Sequence, residues 1–409
     1  LIFLALGLLS LVLLFRLSLY FANYHPYPEN KSITFETRVA SSPKISPRGQ
    51  RVSLIMPNSQ RVTIQFSLIP KISYGDKIKL EGKVSYFEAD DGDKIAFMNY
   101  PRFEVIKKGA GNNLMLKARE NIINLFNSSI SPVQSSLMLG IVFGIKQEMP
   151  SDFYDKLQNT GLLHVIAASG MNIAMVGGFL VGLFSLIFRR QLALVLSIVG
   201  ILFYAFMAGL EPSIVRASIM GILVISAQLF GRQNSSFLGL LAAGFMMVFL
   251  NPSLVLDVGF QLSFMATLGL IYLRPLFALN KRLKLIIQKS IIGEDLTTTI
   301  TAQIFTLPIL LVNFGNYSLV SILVNGLILW TVPILMIFGG LASIAGLFFE
   351  PLGKLILYLT LPLLIYFEKI VEVFDGIGGK IELENLSILI ICGYYLILVS
   401  IIWRVKQKR

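Results

Sequence analysis

"GLLHVIAASGMNIAMVGGFLVGLF", residues 161–184, is long and apolar enough to cross a bilayer, which takes roughly 20 such residues in a helix. Yet it carries His164 and then a run of small and polar residues: Ala167, Ala168, Ser169, Gly170 and Asn172. At 100° per residue, His164, Ser169 and Asn172 fall within about 140° of one another, so one side of the helix is polar. A polar group in hydrocarbon needs a protein partner or water. Small residues also let helices approach closely, so Ala167, Ala168 and Gly170 have packing open to them as a role.

Working outward, the same apolar character recurs. Of 409 residues, 55% are hydrophobic and only 14% charged, and the mean hydropathy is +0.73. Unbroken apolar runs at this density imply an integral membrane protein rather than a soluble core. Spans are expected near 161–188, 191–209, 213–230, 235–250, 257–273, 296–313, 318–349, 354–373 and 386–403. Together, residues 161–403 read as a helical transmembrane domain. Pro333 and Gly339-Gly340 mark 318–349 as a broken or strongly tilted crossing. Residues 1–22 read as a further transmembrane helix. Residues 112–160 read as amphipathic or interfacial helices, because "VQSSLMLGIVFGI" (133–145) is apolar but short for a span. The chain opens at Leu1 rather than at methionine, which suggests an upstream piece.

Residues 31–108 differ in kind. Short alternating runs ("ITFETRVA", "QRVSLIMP", "QRVTIQFSL", "DKIKLEGKVSYFEA", "KIAFMNY", "RFEVIKK") are separated by turn residues, so five or six strands are expected. An OB-like barrel is the economical arrangement. The segment holds 14 Lys and Arg against 8 Asp and Glu. Lys77, Lys79, Lys83, Tyr74, Phe97 and Tyr100 are its candidate contacts for a polyanion that can stack, although Tyr74 and Phe97 fit a barrel core as well. The fold class is thus a polytopic α-helical membrane protein with a small all-β domain.

The formal net charge of +12 does not by itself announce nucleic acid, since membrane proteins collect Lys and Arg in cytoplasmic loops. Arg189-Arg190, Arg232, the run 280–289 and the basic tail 404–409 can all face the cytoplasm only if 318–349 crosses once. The same parity puts the β domain outside. The single cysteine, Cys392, excludes an internal disulfide framework, and two histidines are too few for the usual zinc sites. No phosphate loop, H-x-H-x-D-H or H-E-x-x-H is present. "AASG" resembles the nucleophile motif of rhomboid-type proteases, but no histidine follows His164 to act as base. Neither a cofactor nor a catalytic metal is expected, and no nuclease, ATPase or protease constellation is found.

Further polar residues interrupt other spans. In "EPSIVRASIM" (211–220), Arg216 lies about one turn inside an apolar run. In "DVGFQLSFMATLGL" (257–270), Asp257 and Gln261 share a face, with Ser263 beside them. Arg216 and Asp257 lie at matching depths, so a pair within about 4 Å is expected, with Glu211 as competing partner. "TAQIFTLPILLVNFGNYSLVSILVN" (301–325) carries Gln303, Pro308, Asn313 and Asn325, which lipid tolerates only where protein or water satisfies the freed groups.

In this order the motifs resemble the ComEC-type DNA-internalisation (competence) family. "YGDKIKLEGKV" and "NYPRF" resemble its OB-like extracellular domain. The resemblance implies a channel passing one strand of incoming DNA across the cytoplasmic membrane during natural transformation. His164, Ser169, Gly170, Asn172, Arg216, Asp257, Gln261, Ser263 and Gln303 are then candidates to line the path. Implied partners are single-stranded DNA, the bilayer and other competence proteins: a DNA receptor, a separate nuclease and a cytoplasmic ATPase. The sequence departs from the family in two places. Many members have a second histidine where this chain has Asn172, and many continue into a metallo-β-lactamase-like nuclease domain beyond "WRVKQKR". Rival readings are a secondary transporter for a small solute, and an assembly protein whose β domain binds a partner.

Overall fold

The computed structural model describes residues 2–407 apart from 23–26, 28–30, 40–43, 47–48, 57–60, 71, 73–74, 89–93, 109–113, 146–148, 167–169, 211, 232–234, 278–292, 315, 319, 376–379 and 383–387. Ser169, Tyr74, Glu211, Arg232 and the basic run 280–289 lie outside the described residues. The chain forms two compact units: residues 1–121 with 247–254, and residues 122–246 with 255–409.

The first unit opens with α1 (Ile2–Ala22) and continues into eight strands: β1 (Ser32–Arg38), β2 (Lys44–Ser46), β3 (Gly49–Ile55), β4 (Arg61–Phe66), β5 (Lys77–Lys83), β6 (Ser85–Glu88), β7 (Lys94–Asn99) and β8 (Arg102–Lys107). They form two sheets, ordered β1-β5-β8 and β2-β3-β4-β7-β6. All pairings are antiparallel except β4 with β7. The run expected as one strand, 76–89, divides at buried Val84, where the chain leaves the first sheet for the second. Likewise the chain turns from β7 to β8 at Tyr100 (φ 44°). Alternation explains the core: Ile78 and Leu80 of β5, Val62 and Ile64 of β4, and Ala96 and Met98 of β7 all point inward. Buried Gln50 pins the 67–72 loop, donating through Nε2 to the carbonyls of Ser67, Leu68 and Pro70 and accepting from Ile72 N at 2.9 Å.

The second unit is helical. Its helices are α2 (Leu114–Ser129, from Ile122 onward), α3 (Pro132–Phe143), α4 (Ser151–Asn159), α5 (Leu163–Ile166), α6 (Gly170–Ile187), α7 (Arg190–Met207), α8 (Pro212–Leu229), α9 (Ser236–Leu250, up to Met246), α10 (Val258–Tyr272), α11 (Arg274–Phe277), α12 (Gly293–Phe314), α13 (Ser321–Ile328), α14 (Thr331–Phe348), α15 (Glu350–Asp375) and α16 (Ile388–Gln407). Among the described residues, four stretches are long and apolar enough to cross a membrane: Leu163–Ile187, Arg190–Met207, Pro212–Leu229 and Thr331–Phe348. Their outer faces are apolar and open, as at Leu186 (85% exposed) and Phe348 (88%), which suits contact with lipid rather than water.

Two local readings change. The break expected in 318–349 sits at Leu329–Trp330, between α13 and α14, and not at the glycine pair. Gly339 is instead a packing point inside α14, where a Cβ would fall 2.6 Å from Val142 Cγ2. Helix α3, expected to be interfacial or re-entrant, has every residue from Ser135 to Phe143 buried against α14, α15 and α5. An interfacial helix would keep a solvated face; α3 has none.

Candidate functional site

Residues of the opening stretch separate in the structure. His164 is open to solvent, yet protein atoms crowd it from most directions, the surroundings of a recess rather than an outer face. Its Nδ1 lies 2.9 Å from Gly161 O, and since a carbonyl only accepts, Nδ1 carries the proton and Nε2 faces away from that bond. Asn172, expected to line a path, is instead 1% exposed and donates through Nδ2 to Ile141 O at 2.9 Å. Tyr204 OH donates to the next carbonyl, Val142 O, at 2.6 Å. These are C-terminal carbonyls of α3, which a helix end leaves unsatisfied. Helices α6 and α7 thus clamp the end of α3, with Gly144 (φ 70°) as its left-handed cap. Asn172 is a structural anchor, because its amide is consumed by the clamp.

Arg216 on α8 is 5% exposed, and its Nε and Nη1 are sealed off without a hydrogen-bond partner among the described residues. The expected pair with Asp257 does not form. Asp257 is the N-cap of α10, its Oδ1 accepting from Phe260 N at 2.8 Å. Capping answers its sequence position, immediately before an apolar run, better than depth matching did. Gln261 donates to Val255 O at 2.9 Å, tying α10 to the turn before it. Ser263 is half-buried, and its carbonyl accepts from Thr267 Oγ1.

Gln303 on α12 donates to Ser321 Oγ on α13 at 3.1 Å, while its Oε1 is buried without a partner among the described residues. Both side-chain polar atoms of fully buried Asn325 are likewise unpartnered there. Pro308 lies within α12 and has no N–H for Ile304 O. Tyr394 OH supplies the missing donor to Ile304 O, and Tyr395 OH donates to Phe305 O, each at 2.8 Å. The tyrosine pair of α16 and the proline of α12 thus form one device, and the structural roles of Tyr204, Tyr394 and Tyr395 were not anticipated. Proline inside a span was the available signal, since each such proline frees a carbonyl that something must bind.

In the β unit, Lys77, Lys79 and Lys83 project from β5, opposite in sense to buried Ile78 and Leu80. They do not form a bare basic stripe. Lys77 Nζ lies 2.6 Å from Glu36, and this contact holds the Glu36 carboxyl below its usual range. Lys79 stands in register with Glu36 on one side and Glu104 on the other. Phe97 belongs to β7 in the other sheet, half-buried and alternating with buried Ala96 and Met98, so it is not core. Tyr100 is 56% exposed at the bend after β7. The proposed lysines and aromatics therefore occupy different sheets.

The competence protein family model matches residues 141–408. The chain belongs to the competence protein family. This competence-family segment takes in His164, Gly170, Arg216, Gln261 and the α12–α16 device, and begins at the clamped end of α3. ComE operon protein 3 of Bacillus subtilis (strain 168) is 25% identical over 215 residues, which cover 52% of this chain and 26% of that protein. An uncharacterized protein of Aquifex aeolicus (strain VF5) is 29% identical over 277 residues, 65% of this chain and 64% of that protein. Each match thus spans less than two-thirds of the relative's own length. No solved structure matches. Competence membership supports a role in DNA uptake, and among the described residues no group of three or more His, Cys, Asp or Glu could hold a metal.

Proposed function

We propose that this chain is a multi-pass channel that carries single-stranded DNA across the cytoplasmic membrane, with its β unit outside as receiver and its C-terminus in the cytoplasm. One observation carries the reading: the competence match coincides with the helical unit whose apolar helices hold His164 in a recess and Arg216 without a counter-charge among the described residues. A polyanion passing through hydrocarbon needs polar groups on several helices and cationic charge near them. The strand path of the β unit supports an OB-like receiver. Taken with its bends, it runs as five long strands in which first pairs fourth, and third pairs fifth in parallel. No catalytic step is assigned to this chain, so strand degradation and energy supply fall to partner proteins of the uptake machinery.

Purified full-length chain reconstituted into vesicles tests the reading. Nuclease-protected entry of a labelled oligothymidylate, above that of protein-free vesicles, is the expected result, and entry of a small dye without entry of the strand would overturn it. A small-solute transporter is the second reading, favoured by the α13–α14 break beside buried Asn325, whose amide has no partner among the described residues.

A further inference from the structure

We infer that Arg216, with the space left by Gly170, is a binding site for a phosphate-type oxyanion inside the helical unit. The inference starts from a missing charge. A guanidinium stays protonated under all ordinary conditions and is costly to bury unpaired. Arg216 is more than nine-tenths buried, at 5% exposure, and Nε and Nη1 have no partner among the described residues. The expected carboxylate, Asp257, is occupied as the cap of α10. Snorkelling to a surface, the usual escape for an arginine in a span, is refused by that burial.

Direction comes from Gly170. A Cβ built there would lie 3.3 Å from Arg216 Nη2 and 3.6 Å from Ala217 Cβ, so any larger residue would press on the guanidinium tip. Nη2 is also the one guanidinium nitrogen that is not sealed off. The available donor thus points at a place on α6 where a side chain is missing. Planar N–H donors of this kind suit phosphate oxygens. A carboxylate from a soluble metabolite would fit the charge, but a diester also keeps its single negative charge throughout the physiological range. Naming the phosphodiester of a transiting strand as occupant rests on the channel reading; the oxyanion site itself does not.

The full-length chain in a maltoside detergent, free of added lipid, provides the test in two readouts. The first is thermal stability. Arg216→Met removes an unpaired buried charge, so the variant should melt above wild type in the absence of anions, and inorganic phosphate should raise the melting temperature of wild type alone. A variant that melts lower and a wild type indifferent to phosphate would together assign Arg216 to an internal pair and overturn the site. The second is binding of a fluorescent oligothymidylate across a salt series. Arg216→Met should weaken it roughly tenfold, the size of one charge-assisted hydrogen bond. It should also flatten the log–log salt slope by about 0.7, the single-strand value per phosphate. Arg216→Lys should keep the slope, and Gly170→Ala should weaken binding with the slope retained.

An unchanged slope in Arg216→Met, with oligothymidylate bound, removes the strand contact. If wild type binds no oligothymidylate, the channel reading fails, while the phosphate-dependent melting shift still decides the oxyanion site. Stabilisation of wild type but not Arg216→Met by phosphatidylglycerol in nanodiscs, relative to phosphatidylcholine, supports the site with a lipid headgroup as its source.

Discussion

Replacing Tyr394 by phenylalanine removes one oxygen and leaves the ring in place. That oxygen donates to Ile304 O, whose helical partner is deleted by Pro308. Interhelical hydrogen bonds in membranes average about 0.6 kcal/mol because a lost partner is replaced locally. Here the lost donor leaves a buried carbonyl with nothing to accept from, so the cost should be larger, about 1–2 kcal/mol. Pro308→Ala changes the balance, since alanine at that position supplies an N–H to Ile304 O. In that background Tyr394→Phe should be nearly neutral, giving a coupling of about 1 kcal/mol in the double-mutant cycle. Unfolding of the full chain from mixed micelles by SDS titration measures all four corners. Tyr395→Phe should behave alike, because a proline also weakens the neighbouring bond to Phe305 O. Equal costs of Tyr394→Phe in the wild-type and Pro308→Ala backgrounds would refute the account of the kink.

Three further outcomes follow from particular contacts. Gly353→Ala should destabilise the α14–α15 contact by about 1–3 kcal/mol, because its Cβ would meet Gly346 Cα at 2.7 Å and Ala342 O at 2.9 Å, whereas Gly340→Ala, with nothing within 4 Å, should not destabilise; the same SDS titration reads both. Asn172→Leu and Tyr204→Phe should each lower stability by about 1–3 kcal/mol through an orphaned α3 carbonyl, and Asn172→His, the residue common elsewhere in the family, should recover part of the loss if its ring still reaches Ile141 O. Lys77→Gln should lower stability relative to wild type at neutral pH. Because Glu36 has a lowered pKa when folded, its contribution is present above the unfolded value and lost as pH falls through the folded one, so the two melting curves should converge in acid; a difference that persists there would discard the pair.

Apolar periodicity makes the helices legible, because lipid-facing and core-facing positions both demand hydrophobic residues over a fixed length. Alternation likewise makes the β unit legible, including its strands 32–38, 49–55 and 102–107. The polar residues stand out in the sequence, but their roles are misjudged where they serve the backbone. Asp257 and Asn172 read as lining because sequence shows a polar group and not its partner; in space one caps α10 and the other clamps α3. Tyr394 and Tyr395 escape notice because their partners are carbonyls 90 residues away. Arg216 is anomalous already in the sequence, but only the structure separates it from Asp257.

The central claim is that a strand passes through the helical unit on the side of His164. A Cys392→Ser background carrying a single new cysteine, at His164 or at Leu186, can be incubated in vesicles with a thiol-reactive oligothymidylate arrested in transit by a bulky 3′ end. Position 164 lies in the recess, while Leu186 is 85% exposed on an outward apolar face. The account predicts strand cross-linking at 164 and none above background at 186, and cross-linking at 186 alone, or at neither position while uptake proceeds, would contradict it.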